Sequence, residues 1–449
     1  MAILGHSARE TYSMRRTRLL TIGASVALIV AAAVGGGLYV THSPKAQAAG
    51  NPYQVSASAL KNAHPQYLSL GAKGPEAKSI NKGGSQSTCV QGLDSVTNFC
   101  GSYTVAGADP NGNPNSNWLY NMVGNSPTAK NAGTTTFNAP IIPVRVELLN
   151  ADGSVAFTYD PEQFVKPTLK SPVFSNSRYS SSQGPTQFTD AVDRAEFYNS
   201  APASWHTLLN ANVKPEETMK LPFGSYEFAL NPDGTCCEFI LADANTFENL
   251  LFPPTFPVDN STIIGQAELS KAITTKDIST FLFPNTYLYV GNPNNCCILG
   301  FHTFDFEPGA TSKADPRAYV VNYSSWISPG LFNGGFQDVT ALSHEMSETF
   351  NDPFVTAFNN LDVTPWWVSG GNCQDDLETG DVVEGLANPT FPITLNGFTY
   401  HPQTEALLQW FESSGTSNAI NGAYSYPDTT ELTTSNVSQT AGCTGPFVG

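Results

Sequence analysis

Three side chains in one short segment carry the clearest chemistry in the chain. In Ala341-Leu342-Ser343-His344-Glu345-Met346-Ser347-Glu348-Thr349-Phe350-Asn351-Asp352-Pro353, His344 and Glu348 are four residues apart. On a helix that spacing stacks both side chains on one face. An imidazole and a carboxylate so placed can hold one metal ion. Glu345, beside the histidine, can then take a proton from a water that the metal has activated, as in H-E-x-x-H with the second His replaced by Glu. The same segment supplies its own helix. Leu342, Met346 and Phe350 recur at i, i+4 and i+8 as an apolar stripe, and Asp352-Pro353 stops it, because proline cannot continue the hydrogen-bond ladder.

Two protein ligands do not complete a metal site. The next acids with suitable spacing are Glu378 and Asp381 in Glu378-Thr379-Gly380-Asp381. Glu378 is read as the third ligand and Asp381 as the group that orients His344, with the reverse assignment left open. Zinc, one ion, is the expected metal; the oxygen-rich donor set would also accept manganese, iron or calcium. One His with two carboxylates largely neutralises zinc, so water there would be less acidic than at a three-His site, where its pKa falls to about 7. Catalysis would also need a donor for the developing oxyanion. His302, Tyr323, Tyr400 and His401 are the candidates, with His302 and Tyr400 put forward as catalytic residues beside Glu345. Asp375-Asp376 and Trp366-Trp367 could suggest a glycosidase, but adjacent acids say nothing about carboxyl separation. There is no G-x-S-x-G, P-loop or G-x-G-x-x-G.

The string His344-Glu345-x-x-Glu348, followed by Asp352-Pro353 and then Glu378-x-Gly380-Asp381, resembles the zincin metallopeptidases of the His-Glu-x-x-His/Glu type. It is more similar still to the secreted phosphate-induced protein (EXORDIUM) family and its bacterial relatives. The likeness covers residues 318–385. Phe188 to Phe197 occupies the place of the helix that precedes the active-site helix in zincins. The resemblance implies an α+β fold in which a mixed β-sheet packs on both helices. It does not by itself imply peptidase activity.

The rest of the chain must position these residues. Charged residues are only 13 % and hydrophobic ones 40 %, a loop-rich, β-containing globular composition. Residues 1–48 read as an export signal: Arg15, Arg16 and Arg18 precede an apolar run from Leu19 to Val40, then Ala46-Gln47-Ala48 as a cleavage site. An uncleaved anchor is the alternative. Residues 49–135 form a Gly/Ser/Asn/Pro-rich N-terminal segment, and 136–449 a zincin-like domain with an irregular C-terminal subdomain. Expected strands are Ile141–Leu149, Val155–Tyr159, Tyr226–Leu230, Cys236–Leu241, Thr286–Val290, Cys296–Phe306 and Ala318–Tyr323. A helix is expected over Gln187–Tyr198, with Asp190, Asp193 and Glu196 mostly off its apolar stripe, and another over Thr404–Phe411. Phe391–Tyr400 reads as a strand pair turning at Asn396-Gly397.

Eight cysteines, all after residue 88, fit an oxidising compartment and a disulfide-stabilised fold. Cys89–Cys100, the Cys236-Cys237 doublet joined to Cys296-Cys297, and Cys373–Cys443 are the expected pairings. Beyond residue 48, sixteen Lys/Arg face thirty-seven Asp/Glu, a net charge of −21. That charge excludes nucleic acid and an anionic membrane surface as partners. The expectation is a secreted metal-dependent hydrolase, a zinc metallopeptidase-like protein with Glu345 as general base, acting on a polypeptide or a cell-surface polymer. The alternative is a non-catalytic extracellular binding protein on the same scaffold.

Overall fold

The computed structural model describes residues 53–63, 96–104, 117–230, 238–253, 260–307, 317–355, 363–367, 373–413, 415–436 and 443. Residues 1–48, Cys89, Cys236 and Cys237 therefore lie outside the described residues, and with them the export signal and two expected cysteine pairings. Among the described residues, seven α-helices and several sheets form an α+β fold. None of these helices is long and apolar enough to cross a membrane.

A seven-stranded mixed sheet supports the site. Its order runs Gly300–Glu307, Arg317–Trp326, Ile278–Pro284, Thr134–Leu149, Val155–Tyr159, with His206–Val213 and Glu217–Leu221 also paired to the long strand Thr134–Leu149. The inner pairings are parallel, while the strands at the two ends of the order, Gly300–Glu307 and Val155–Tyr159, run antiparallel to their neighbours. Ile278–Pro284 is buried at every position. That explains its unbroken Ile-Ser-Thr-Phe-Leu-Phe run, since an inner parallel strand is covered on both faces.

Helix Thr340–Asn351 packs on this sheet. Leu342, Met346 and Phe350 join Ile278, Leu282, Phe304 and Val320 in one core, so the stripe serves as its spacing predicted. The helix is nevertheless buried on all sides. Several of its polar residues find partners inside the protein. Thr349 Oγ1 donates to Asn322 Oδ1 (2.7 Å), Ser343 Oγ to Thr340 O (2.9 Å) and Asn351 Nδ2 to Glu196 Oε1 (3.1 Å). Asp352 ends the helix by donating its N–H to Glu348 O.

Other elements depart from expectation. Helix Phe188–Glu196 forms, but Asp190, Asp193 and Glu196 are buried, because this helix is covered on more than its apolar stripe. Asp190 accepts from the Thr207 N–H (2.7 Å) and from Thr186 Oγ1 (2.5 Å). Cys296–Phe306 is two strands, Cys296–Ile298 and Gly300–Glu307, in different sheets. Thr404–Phe411 is not one helix: Glu405–Ala406 pairs with Ser425–Tyr426, and only Leu408–Phe411 is helical. The N-terminal segment contributes a three-stranded sheet of Asn117–Met122, Thr97–Thr104 and Gly124–Asn125. Cys373 and Cys443 pair as expected. Cys296 and its neighbour Cys297 stand at disulfide distance from each other, while the expected partner doublet lies outside the described residues. The 393–400 hairpin turns at Asn396-Gly397, both at positive φ, as a two-residue turn requires.

Candidate metal centre

The centre forms where three elements meet: the motif helix, the sheet-edge strand and the segment Glu378–Asp381. Alternation along Gly300–Glu307 puts Gly300, His302 and Phe304 on the face toward the helix. His302 Nε2 lies 3.1 Å from the Asp352 carbonyl at the helix end. An N–H donated there leaves Nδ1 as the lone pair that faces the acids. Nδ1 is 3.4 Å from Glu345 Oε2, 3.4 Å from Glu348 Oε2 and 3.7 Å from Glu378 Oε2.

On the other side of Glu348, His344 Nε2 is 3.0 Å from Glu348 Oε2 and 3.5 Å from Asp381 Oδ1. Two donor groups result, His344/Glu348/Asp381 and His302/Glu348/Glu378, each with its atoms within 4.8 Å of one another. Glu348 belongs to both. Asp381, expected to orient His344 from behind, stands with it as a potential donor, and Glu378 groups with His302 instead. The Glu378–Asp381 stretch is not a helical turn, because the short helix begins only at Asp381.

Glycine explains how these elements approach. A Cβ on Gly380 would lie 2.2 Å from His344 Nδ1 and one on Gly300 2.5 Å from Glu345 Oε1. The Gly380 N–H also donates to Glu348 Oε1 (2.9 Å), and Gln403 Nε2 donates to Gly380 O (2.7 Å). His344, Glu345 and Glu348 thus lie against backbone that has no room for a side chain.

Burial dominates the electrostatics. His302, His344 and Glu345 have no exposed surface, Glu348 and Glu378 are 1 % exposed and Asp381 5 %. Burial, then the neighbouring acids, pushes Asp381 up to about 8, and holds Glu378, Glu384 and Glu405 well above the usual carboxylate range. Burial raises Glu345 to about 7 against the pull of His302 and His344. Burial opposes the charged form of Glu348 too, but His344 and His302 outweigh it and hold this carboxyl below its ordinary value. Burial alone would favour a neutral His302, yet Glu345 and Glu348 raise it to about 10. Acids outnumber imidazoles here, and a divalent cation is the charge that would balance them.

The donors fit such an ion. Both oxygens of Glu345, Asp381 Oδ1 and His302 Nδ1 are buried with no hydrogen bond of good geometry. Ligands bound tetrahedrally about 2.0–2.1 Å from zinc stand about 3.3–3.4 Å from one another. The separations of His344 Nε2 from Glu348 (3.0 Å) and from Asp381 (3.5 Å) bracket that spacing.

The other expected catalytic groups are placed elsewhere. Tyr400 is buried with its hydroxyl donating to Pro167 O (2.9 Å), because its strand turns that face toward the core shared by Leu342, Met346 and Phe350. Tyr323 donates to Thr286 O, and His401 Nδ1 lies 2.7 Å from Asp338 Oδ2 at the start of the motif helix. Trp366 packs edge-on against Trp410 and Phe411 and donates Nε1 to Asp376 O (3.1 Å), so it is core rather than a binding platform. The sequence does not point to His302 as a potential metal donor, nor to Glu384 and Glu405 as neighbours. The one signal was Gly300 two residues before His302, a gap on the strand face that receives the helix. No family model, curated protein or solved structure matches the chain.

Proposed function

We propose that the protein is an exported metal-dependent hydrolase that cleaves polypeptide, built on a zincin-like arrangement of sheet and helix. The observation that carries this reading is the convergence of His344, Glu348 and Asp381, with His302, Glu378 and Glu345 at the same buried point. A mixed sheet whose antiparallel edge strand faces the motif helix supports the zincin likeness. His344, Glu348 and Asp381 would hold zinc, with His302 and Glu378 closing the opposite side of Glu348; calcium is the second candidate for so oxygen-rich a set. When bound, the metal supplies Lewis acidity that polarises a substrate carbonyl and lowers the pKa of water. Glu345 takes the proton of the attacking water and delivers it to the leaving amine. Burial favours that task, since it raises the affinity of Glu345 for the proton it must take up. His302 acts through Nδ1 as a ligand rather than as an oxyanion donor.

One observation favours a second reading, a non-catalytic extracellular binding protein that keeps the metal for stability. Every donor is buried, so a substrate carbonyl reaches Glu345 only if the covering segments part. Glu345→Gln separates the two. As a hydrolase, the variant keeps its metal and loses at least about a hundred-fold in cleavage of a disordered polypeptide, within the range of general-base loss. Unchanged cleavage, or none in wild type, rejects the hydrolase and leaves the binding protein.

A further inference from the structure

A cavity of about 370 Å³ opens among the N-terminal strands, the end of helix Phe188–Glu196 and the short helix Leu408–Phe411. Its walls include Phe99, Tyr103, Trp118, Tyr120 and Phe197. Phe99 lies edge-on to both Tyr120 and Phe197, with ring centroids 5.4 Å away in each case. The polar part of the lining is mostly acceptor. Glu196 is 2 % exposed, and its Oε1 accepts from Asn351 Nδ2 (3.1 Å) and the Leu408 N–H (3.3 Å). Its Oε2 is buried with no partner. Gln409 spends its amide donors on Glu196 O and Asn418 Oδ1, both at 3.0 Å, leaving Oε1 buried and unpartnered. Glu412 lines the same cavity and interacts with the Tyr103 hydroxyl.

We propose that this cavity binds an organic monocation, an ammonium or guanidinium group on a short apolar body. Trp118 Nε1 is a buried donor on the same lining, but the buried acceptors Glu196 Oε2 and Gln409 Oε1 call for a ligand that donates, and two carboxyl groups on one lining call for positive charge. Aromatic faces add a favourable quadrupole for a cation and a surface for its carbon body. A neutral sugar would also stack on the rings, but it would leave the two acids uncompensated. Burial, with a smaller push from Glu412, raises Glu196 to about 8 against its bonds from Asn351 and Leu408, and burial raises Glu412 to about 7, which is the response of acids that lack a counter-charge. The volume suits a single small ligand or one basic side chain rather than a folded partner. None of the lining residues belongs to the metal centre's donor groups.

Isothermal titration of the purified protein with benzamidine and with its neutral isostere benzamide tests the proposal. Benzamidine is expected to bind at least about ten-fold more tightly, the worth of one charge-assisted contact. Glu196→Gln should abolish that preference. Glu412→Gln should reduce it several-fold without touching the bonds to Asn351 and Leu408, so the test survives a folding defect in the first variant. N-acetylarginine methylamide, titrated alongside, separates the two sources: tighter binding than benzamidine marks a basic peptide side chain, weaker binding a free amine. Equal affinity for benzamide and benzamidine, or a preference that both variants leave unchanged, overturns it.

Discussion

Replacing Gly380 with alanine should empty the metal centre without altering any ligand. Gly380 has φ −78° and ψ −38°, a conformation open to any residue, so the substitution strains no backbone dihedral. The whole effect comes from one methyl group. Its carbon would sit 2.2 Å from His344 Nδ1, 2.5 Å from Cε1 and 2.6 Å from Cγ. Unstrained contacts need about 3.5 Å, so three ring atoms are overlapped by roughly 1 Å. The imidazole must move by a similar distance, and Nε2 moves with it. Metal–ligand bonds tolerate only about 0.2 Å, so the ligand is lost. Overpacking of this kind costs about 1–3 kcal/mol before the metal is counted. Gly184→Ala is the control, because nothing lies within 4 Å of a Cβ there, and it should stay within about 0.5 kcal/mol of wild type. Metal content by mass spectrometry and thermal unfolding with and without chelator read both effects. The expected result is a metal-poor G380A whose Tm no longer responds to chelation. A G380A protein with wild-type metal content and Tm would refute the packing argument.

Gly300→Ala should keep its metal but lose most hydrolysis, because the new Cβ, 2.5 Å from Oε1, displaces the flexible end of Glu345 rather than a rigid ring; kcat against metal content separates the two. Tyr400→Phe should leave hydrolysis unchanged and lower stability by about 0.5–1.5 kcal/mol, the worth of its bond to Pro167, measured by denaturant unfolding. On the opposite face of the sheet edge, Glu268, Asp305 and Glu307 are buried together. Burial first raises all three, Asp305 to about 6 and Glu307 to about 7, so the native state binds more protons than the unfolded one above about pH 4. Their contribution is present below that pH and is lost as pH rises through 6 to 7. Glu268→Gln should therefore raise stability above pH 7, by on the order of 1–3 kcal/mol, and change little near pH 4; Tm against pH checks the sign.

What spacing controls was legible. His344 to Glu348 is fixed by one helical turn, the Leu342/Met346/Phe350 stripe by the same period, and the 393–400 hairpin by the conformations that Asn396 and Gly397 tolerate. What depends on long-range meeting was not. His302 reaches the helix only because an edge strand turns that face inward, and Asp381 displaces Glu378 beside His344 because the chain at Gly380 runs against the imidazole. A glycine that lacks a side chain for packing reads in sequence like any loop glycine. The helical period sets the acids of Phe188–Glu196 mostly off the apolar stripe. They lie inside because Thr186, Thr207, Asn351 and Leu408 supply their hydrogen bonds, from chain positions up to 212 residues away.

The most direct test of the central claim is an anomalous-scattering map from crystals of the protein grown with zinc. The account expects a peak about 2.0–2.2 Å from His344 Nε2, Glu348 and Asp381, absent in His344→Ala and retained in Glu345→Gln. Crystals that show no anomalous density between these three side chains, with His344→Ala unfolding at the same temperature as wild type, would contradict it.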